Sequence, residues 1–372
     1  MKINRLKFDN YRNLENDIIY PCEGVNIFYG DNAQGKTNIL ESIWLFTGGR
    51  SFRGAKDKEL INFAEDCAQL EIDFFSRERE QNAVINIKNN KRFAILNDVE
   101  KKSTHELIGS FCAVVFSPVH LSIIKEGPNG RRKFIDAALC QIKPSYVSLL
   151  SRYNRTLLQR NTLIKDIKYH AELIETIDIW DSKLAKYGAS IIKNRLDYLE
   201  DLSKISKRVY SGISDGQENF DIIYKPSFKS KITVDNIENV LLSEYKKTLN
   251  EDIKSGFTNI GPHRDDFSIY IDGKSARSYA SQGQQRSCVL TLKLAEAELL
   301  KMYIDEKPVI LLDDVMSELD NKRQDYILNS IKGFQVFVTC CEPSAVLRLI
   351  KGKKFKIKNG KVISQKGWVY RQ

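Results

Sequence analysis

The sequence predicts a mixed α/β nucleotide-binding fold interrupted by an all-helical insertion, and three observations carry that prediction. Gly30-Asp31-Asn32-Ala33-Gln34-Gly35-Lys36-Thr37 is a complete GxxxxGK[ST] phosphate-binding loop, preceded by a strand pattern, Val25-Asn26-Ile27-Phe28-Tyr29, and followed by a helical one from Thr37 to Phe46. Far along the chain, Pro308-Val309-Ile310-Leu311-Leu312-Asp313-Asp314 reads as a buried strand that ends in two carboxylates. Between these two halves of a site the hydrophobic period changes from two to about 3.6, from alternating strands to amphipathic helices.

Taken in order, Ile3 to Phe8, Val25 to Tyr29, Ala68 to Phe75, Ala83 to Ile87 and Phe93 to Leu96 read as strands separated by Asn, Asp and Gly turns. Phe111 to Phe116 is a continuous apolar run suited to a buried strand, closed by Ser117-Pro118. Gly127-Pro128-Asn129-Gly130 is the strongest loop signal in the chain, and helical spacing follows it. Leu149, Leu150, Tyr153 and Leu157 share a face, as do Ile174, Ile177, Trp180, Leu184 and Tyr187, so residues 130–212 read as all-helical. Tyr146, Tyr153 and Tyr169 have the chemistry to stack on bases, but aromatics at helical spacing fit a core or rim better.

After Ser211-Gly212 strand patterns resume at Phe220 to Tyr224 and Lys231 to Val234, followed by a helix from Ile237 to Leu249. Phe267 to Lys274 alternates and ends in a turn, a long helix runs from Gly283 to about Met302, and Phe355 to Ile363 forms a hairpin about Asn359-Gly360, the turn chemistry of type I′. Expected domains are a first lobe over 1–120, a helical arm over 121–215 and the remainder of the α/β fold over 216–372.

The chain has 372 residues and a net charge of +10, unevenly spread. Residues 121–170 carry ten Lys/Arg against three Asp/Glu, and residues 351–372 carry eight against none, which leaves the rest of the chain acidic. Charge concentrated in this way is the footprint of a polyanion binder, and nucleic acid is the first candidate. Either segment, alone, also fits an ordinary solvated face. No run approaches the ~20 apolar residues of a membrane helix, and the N-terminus lacks a signal-peptide pattern, so the expected compartment is the cytoplasm. Seven scattered cysteines without a C-x-x-C pair read as reduced, with Cys22, Cys67, Cys112, Cys140 and Cys288 in the core and the vicinal Cys340-Cys341 at a strand end. The four histidines show no metal-ligand spacing.

The chemistry follows from residue types. Glycines in 30–37 let backbone N–H groups curl around a triphosphate, Lys36 reaches the β/γ-phosphates, and the Thr37 hydroxyl can ligate Mg²⁺. The second strand can deliver Asp313 to that metal and Asp314 to an attacking water. Ser281-Gln282-Gly283-Gln284-Gln285-Arg286 opens the long helix, where Ser281 can cap and Gly283 lets an anion approach the positive helix end.

Together with Asn10-Tyr11-Arg12-Asn13-Leu14, Phe116-Ser117-Pro118, Gly261-Pro262-His263-Arg264-Asp265-Asp266 and Leu311 to Asp320, these motifs make the chain resemble the RecF family, ABC-type ATPase heads related to SMC heads. The resemblance runs through nearly the whole length. It implies ATP and Mg²⁺ as cofactors, with Lys36, Asp313 and Asp314 catalytic, Thr37 and Asp313 at the metal, and Arg12 joining Gly30, Asp31, Asn32, Ala33, Gln34, Gly35, Lys36 and Thr37 at ATP.

It further implies an ATP-dependent homodimer in which Ser281, Gln282, Gly283 and Gln284 act in trans, with Ser317 and Asp320 in the D-loop. Implied partners are single-stranded DNA, single-strand/double-strand junctions, RecR and RecO, in recombinase loading at gaps during repair, replication and the SOS response. Candidate DNA contacts are Arg131, Arg132, Arg152, Arg155, Arg160, Lys353 and Lys354. Departures from the wider ABC pattern are Gln282 in place of the first signature Gly, Asp314 in place of a Glu, and Thr339 in place of a switch His. They imply slow hydrolysis. The competing readings are an ATP-binding DNA clamp without turnover and a transporter ATPase subunit, the latter disfavoured by the charge and the missing His. A full SMC protein is excluded by the absence of room for a long heptad arm.

Overall fold

A computed structural model of the chain describes residues 1–343 and 352–368, so Lys351 and Arg371 of the C-terminal basic segment lie outside the described residues. The chain divides into two units, one formed by residues 1–121 with 287–372 and the other by residues 122–286. The strands are β1 Lys2–Asp9, β2 Asp17–Ile19, β3 Val25–Tyr29, β4 Cys67–Ser76, β5 Arg79–Lys88, β6 Lys91–Leu96, β7 Val99–Lys101, β8 Ala113–Phe116, β9 Phe220–Lys225, β10 Asp266–Ile271, β11 Lys274–Ser275, β12 Val309–Asp313, β13 Val336–Cys340, β14 Gly352–Lys358 and β15 Lys361–Trp368. The helices are α1 Lys36–Leu45, α2 Ser122–Lys125, α3 Pro128–Ile142, α4 Ser145–Ile167, α5 Ile177–Ser214, α6 Ile237–Ser255, α7 Ala276–Tyr279, α8 Gln282–Ile304 and α9 Asn321–Ser330.

The first unit holds two sheets. One runs β2-β1-β4-β5-β6-β7, antiparallel throughout. Its strands alternate apolar and polar residues, as Leu70, Ile72 and Phe74 do in β4, because one face is buried and the other meets water. The second runs β15-β14-β3-β13-β12-β8, and its strands β3, β13, β12 and β8 are parallel and mostly buried on both faces. Burial of both faces is the reason Val309-Ile310-Leu311-Leu312 reads as a run rather than an alternation. A single core joins Leu6 and Phe8 of the first sheet, Ile39, Leu40 and Ile43 of α1, and Phe28, Leu311, Phe337 and Phe355 of the second sheet.

In the second unit, α5 is 38 residues long, about 57 Å at the α-helical rise. It packs against α4, α6 and β9. A small antiparallel sheet, β11-β10-β9, belongs to this unit.

Four expectations change. Residues 216–286 group with the helical arm and not with the C-terminal α/β portion, because β9 is tied to α5 by stacking of Phe220 on Tyr210, with ring centroids 4.9 Å apart, and to β10 by its ladder. Gly127-Pro128 is the start of α3 and not a loop. Proline fits the first helical position, where its missing N–H costs no hydrogen bond. The β-branched run Ile232-Thr233-Val234 forms no ladder, because the Asn236 side chain takes the Thr233 N–H at 2.7 Å and turns the chain into α6. Of the five cysteines read as core residues, Cys112 and Cys288 are buried, Cys22 and Cys140 are half-buried, and Cys67 is exposed at the start of β4; Cys340 is buried, Cys341 is exposed past β13, and no disulfide joins any of the seven.

Candidate nucleotide site and its helical signature

β3 runs straight into the phosphate loop, and α1 leaves it. Gly35 sits at the turn with φ +104°, and a Cβ there would come within 2.7 Å of Leu14 Cδ2, so both backbone angle and space require glycine. Lys36 is 4% exposed and folds back into the loop, where its Nζ donates to Gly30 O at 2.7 Å and Asp31 O at 2.8 Å. Asp31, Asn32 and Ala33 form an exposed lip. Gln34 is braced from the C-terminal hairpin: its side-chain oxygen accepts from Asn359 N at 2.5 Å and its carbonyl from Gly360 N at 3.1 Å.

Thr37 is joined to the second strand. Its hydroxyl donates to Asp313 Oδ1 at 2.7 Å, Thr339 Oγ1 donates to the same oxygen at 3.0 Å, and Ser117 Oγ donates to Oδ2 at 3.3 Å. Register explains this convergence: Asp313 lies opposite Thr339 on β13, and Leu312 opposite Phe116 on β8, which puts Ser117 beside the carboxylate. Burial raises the Asp313 pKa above the usual carboxylate range, opposed by the Thr37 and Thr339 hydroxyls. Asp314 takes left-handed φ +51°, held by its N–H donating to Thr339 Oγ1 at 2.9 Å. Thr339, standing where transport ATPases place a switch His, therefore fixes both acids.

Arg12 is committed to a residue that sequence reasoning missed. Its Nε and Nη2 grip the Glu41 carboxylate at 2.6 and 2.9 Å, and Tyr11 OH donates to the same group at 3.0 Å, as does Ser51. Glu41 is fully buried on α1, and its signal was a lone acid among Ile39, Leu40 and Ile43. Asn13 ties this corner to the loop, donating to Ala33 O at 3.1 Å and accepting from Asn38 at 2.6 Å. Ser317 Oγ donates to Asp314 O at 2.9 Å, and Asp320 caps α9 by accepting from Arg323 N at 2.9 Å.

The signature segment lies in the second unit. Ser281 and Gln284 form a reciprocal cap: Gln284 N donates to Ser281 Oγ at 3.2 Å, and Ser281 N to Gln284 Oε1 at 2.8 Å. Gln284 Nε2 is fixed by Glu218 at 2.6 Å. Ser281 and Gln282 are exposed and Gly283 is half-buried, at the N-terminus of a 23-residue helix, the end that favours anions.

Two of the candidate DNA contacts are withdrawn. Arg160 is 0% exposed, bonded to Asp181 at 2.5 Å, Asp252 at 2.7 Å and Thr258 at 2.8 Å. Arg131 is 4% exposed, bidentate to Asp266 at 2.6 and 2.9 Å and donating to the Ile123 and Glu126 carbonyls. Both guanidiniums are consumed as internal ion pairs and face no solvent. Arg132 is half-buried and donates to Asp265 O at 2.9 Å. Arg152 and Arg155 are exposed on α4; Lys353 is half-buried and donates to Tyr20 O at 2.7 Å; Lys354 is half-buried. The segment Gly261 to Asp266 is a scaffold, with Asp265 accepting from Tyr224 OH and Ser227 N, and Arg195 donating to Pro262 O at 2.6 Å.

The geometry invites comparison with known proteins. The family described as "RecF/RecN/SMC N terminal domain" matches residues 2–362. The chain is 42% identical over 371 residues to the "DNA replication and repair protein RecF" of Ruminiclostridium cellulolyticum, covering 98% of this chain and 100% of that one. It is 43% identical to the protein of the same description from Thermoanaerobacter pseudethanolicus, again with 98% and 100% covered. Among solved structures, the recombination mediator protein RecF-ATP in the RecFOR pathway superposes with a TM-score of 0.91 at 41% identity, over 99% of this chain and 98% of that one. An Smc head domain from Pyrococcus furiosus, at 17% identity over 99% of this chain and 96% of that one with a TM-score of 0.57, shares the fold alone. The chain, an ABC-type ATPase head with a helical insertion, belongs to the RecF family.

Proposed function

We propose that the chain is an ATP-binding, DNA-binding protein of recombinational repair and replication that dimerises on ATP and hydrolyses it slowly. The observation that carries this reading is the Thr37 hydroxyl donating to Asp313 Oδ1 at 2.7 Å, which joins the phosphate loop to the acidic strand end. The relatives' names and the solved RecF-ATP structure support it.

One hydroxyl and one carboxylate fit Mg²⁺, which is held by few protein oxygens together with substrate phosphates; among the described residues no cluster of three or more His, Cys, Asp or Glu suggests another metal. When bound, Mg²⁺ neutralises charge on the transferring phosphoryl group. Lys36 exchanges its two loop carbonyls for phosphate oxygens. Asp314 orients the attacking water, and its reach, one methylene shorter than a Glu, slows that step. Ser281, Gln282 and Gly283, at an exposed helix N-terminus, fit the γ-phosphate held by a second copy, so ATP serves as the adhesive of the dimer. DNA, RecR and RecO are the partners, in line with the RecFOR pathway of the solved relative.

Gel filtration at several protein concentrations tests this. With Mg²⁺ and ATP the wild type shifts from monomer toward dimer, and Asp314→Asn lengthens the lifetime of that dimer. A monomer at every ATP concentration defeats the reading. The alternative, a DNA clamp without turnover, draws on Asp314 and Thr339 standing where Glu and His are usual. It requires that Asp314→Asn leave the dimer lifetime unchanged.

A further inference from the structure

β14 displays its charges by strand alternation. Phe355 and Ile357 point into the core, and Lys354, Lys356 and Lys358 point the other way. On β15, Lys366 lies opposite Lys354 and Lys361 opposite Lys358, so five lysines share one face. Lys356, Lys358, Lys361 and Lys366 are exposed. Lys361 pairs with Glu15 at 2.5 Å, and the other four have no acidic partner among the described residues. Like charges directly opposite each other cost stability in a strand pair, so the arrangement calls for an anion to neutralise it. Alternate residues of a strand recur every ~6.7 Å, close to the ~6.8 Å axial repeat of two phosphates on one DNA strand.

This face is built onto the nucleotide loop. β14 runs parallel to β3, with Lys356 opposite Tyr29, the residue before Gly30. At the hairpin tip, the N–H groups of Asn359 and Gly360 both bond Gln34 of the loop, and Gly360 O accepts from Glu15 N at 3.2 Å. Gly360 has φ +76°, and a Cβ there would collide with Asn13 O, so the tip fits closely between Gln34 and the 13–15 segment. Gln34 therefore belongs both to the phosphate loop and to the seat of the hairpin tip.

We propose that the lysine face of the C-terminal hairpin binds a nucleic-acid phosphate backbone and that the Gln34–Asn359–Gly360 contact makes this binding depend on the nucleotide in the phosphate loop. It rests on the reading of the chain as an ATP- and DNA-binding protein and adds the surface and its control. The contact is backbone-directed, salt-sensitive and indifferent to base sequence.

The experiment uses the full chain. Hydrogen exchange of the hairpin is measured with and without Mg²⁺ and a slowly hydrolysed ATP analogue. Affinity for a single-strand/duplex junction oligonucleotide is measured by anisotropy across a salt series. Expected results are a several-fold change in exchange at the 359–360 amides on nucleotide binding and, for K354A/K356A/K358A, unchanged nucleotide affinity with a log K–log salt slope shallower by roughly 2–3. Gly360→Ala is expected to abolish the nucleotide dependence of DNA affinity; should it fail to fold, the exchange measurement on the wild type decides. An unchanged salt slope overturns the surface, and unchanged exchange in a nucleotide-saturated protein overturns the coupling. Absence of nucleotide binding, seen in the same titration, defeats the underlying function instead.

Discussion

Residues 121–170 and 351–372 look alike as charge counts and differ as structures. In the first, Arg160 and Arg131 are buried and each grips carboxylates contributed from far along the chain. In the second, alternation along β14 and a register shift in its pairing with β15 put lysines on one open sheet face, with acidic partnership limited to Lys361 among the described residues. Net charge per segment therefore cannot separate a folding device from a binding surface. What separates them is whether opposite charges converge on the same groups in three dimensions. Arginine, planar and forked, suits the buried pairs, and lysine, a point charge on a flexible stem, suits the open face.

Breaking the buried side of the comparison has the largest expected effect. Arg160→Ala leaves Asp181 and Asp252, 1% and 0% exposed, without their counter-charge, and also removes the guanidinium 5.1 Å from the Tyr245 ring centre. Loss of one partner of a buried pair costs about 3–5 kcal/mol, so the denaturant midpoint of the transition that reports on residues 122–286 drops sharply. Asp252 keeps its bonds to Asn259, which localises the damage. A loss below about 1 kcal/mol would mean that solvent reaches the pair and that the two segments are alike after all.

The same contrast shows what was legible in the sequence. Local features were: the strand, loop and helix around Gly30–Thr37, the apolar strand ending at Asp313, the Ser281 cap and the Asn359-Gly360 turn, whose two residues both take positive φ. Each depends on a few neighbouring residues. Convergence across the fold was not legible. The Thr339 and Ser117 hydroxyls reach Asp313 through parallel strand register, and Glu41 meets Arg12 across 29 positions. Arg160 finds Asp252 across 92 positions, so its burial gave no local sign and it read as one more exposed cation. The hold of the hairpin tip on Gln34 was hidden for the same reason, being a contact between loops more than 300 positions apart.

An intermediate effect sharpens the comparison through pH. The His263 ring accepts the Tyr153 hydroxyl at Nδ1, 2.7 Å away, and donates from Nε2 to Thr258 O at 3.1 Å, so it is neutral and fully bonded. Burial, with Arg264, Arg132 and Arg160 nearby, lowers its pKa to about 4. Unfolded histidine titrates near 6.5, so below that pH the unfolded chain takes the proton first. The stabilising contribution is complete above pH 6.5 and is lost as pH falls toward 4, about 2–3 kcal/mol by pH 4.5. Denaturation at pH 7 and pH 4.5 should show His263→Gln, which does not titrate, losing less stability on acidification than the wild type by that amount. Equal losses would place the ring in solvent.

The smallest expected change in stability comes from exposed arginines within the first segment. Arg152 and Arg155 lie exposed on α4, three positions apart and so on one face of the helix, near the exposed Leu158. They are two of the seven cations of that segment that lie exposed, the others being Lys125, Lys133, Lys143, Lys165 and Lys168. Arg152→Ala with Arg155→Ala should alter stability by no more than about 0.5 kcal/mol, since exposed side chains away from caps and ion-pair networks contribute little. Two phosphate contacts at most flatten the log K–log salt slope by about 1.8, against about 2.7 for the three hairpin lysines on duplex DNA. That ordering follows from the number of cations each face can present at phosphate spacing. If the α4 pair removes more of the slope than the hairpin triple does, the principal backbone contact lies on α4, and the contrast holds between residues within one helix rather than between the two segments.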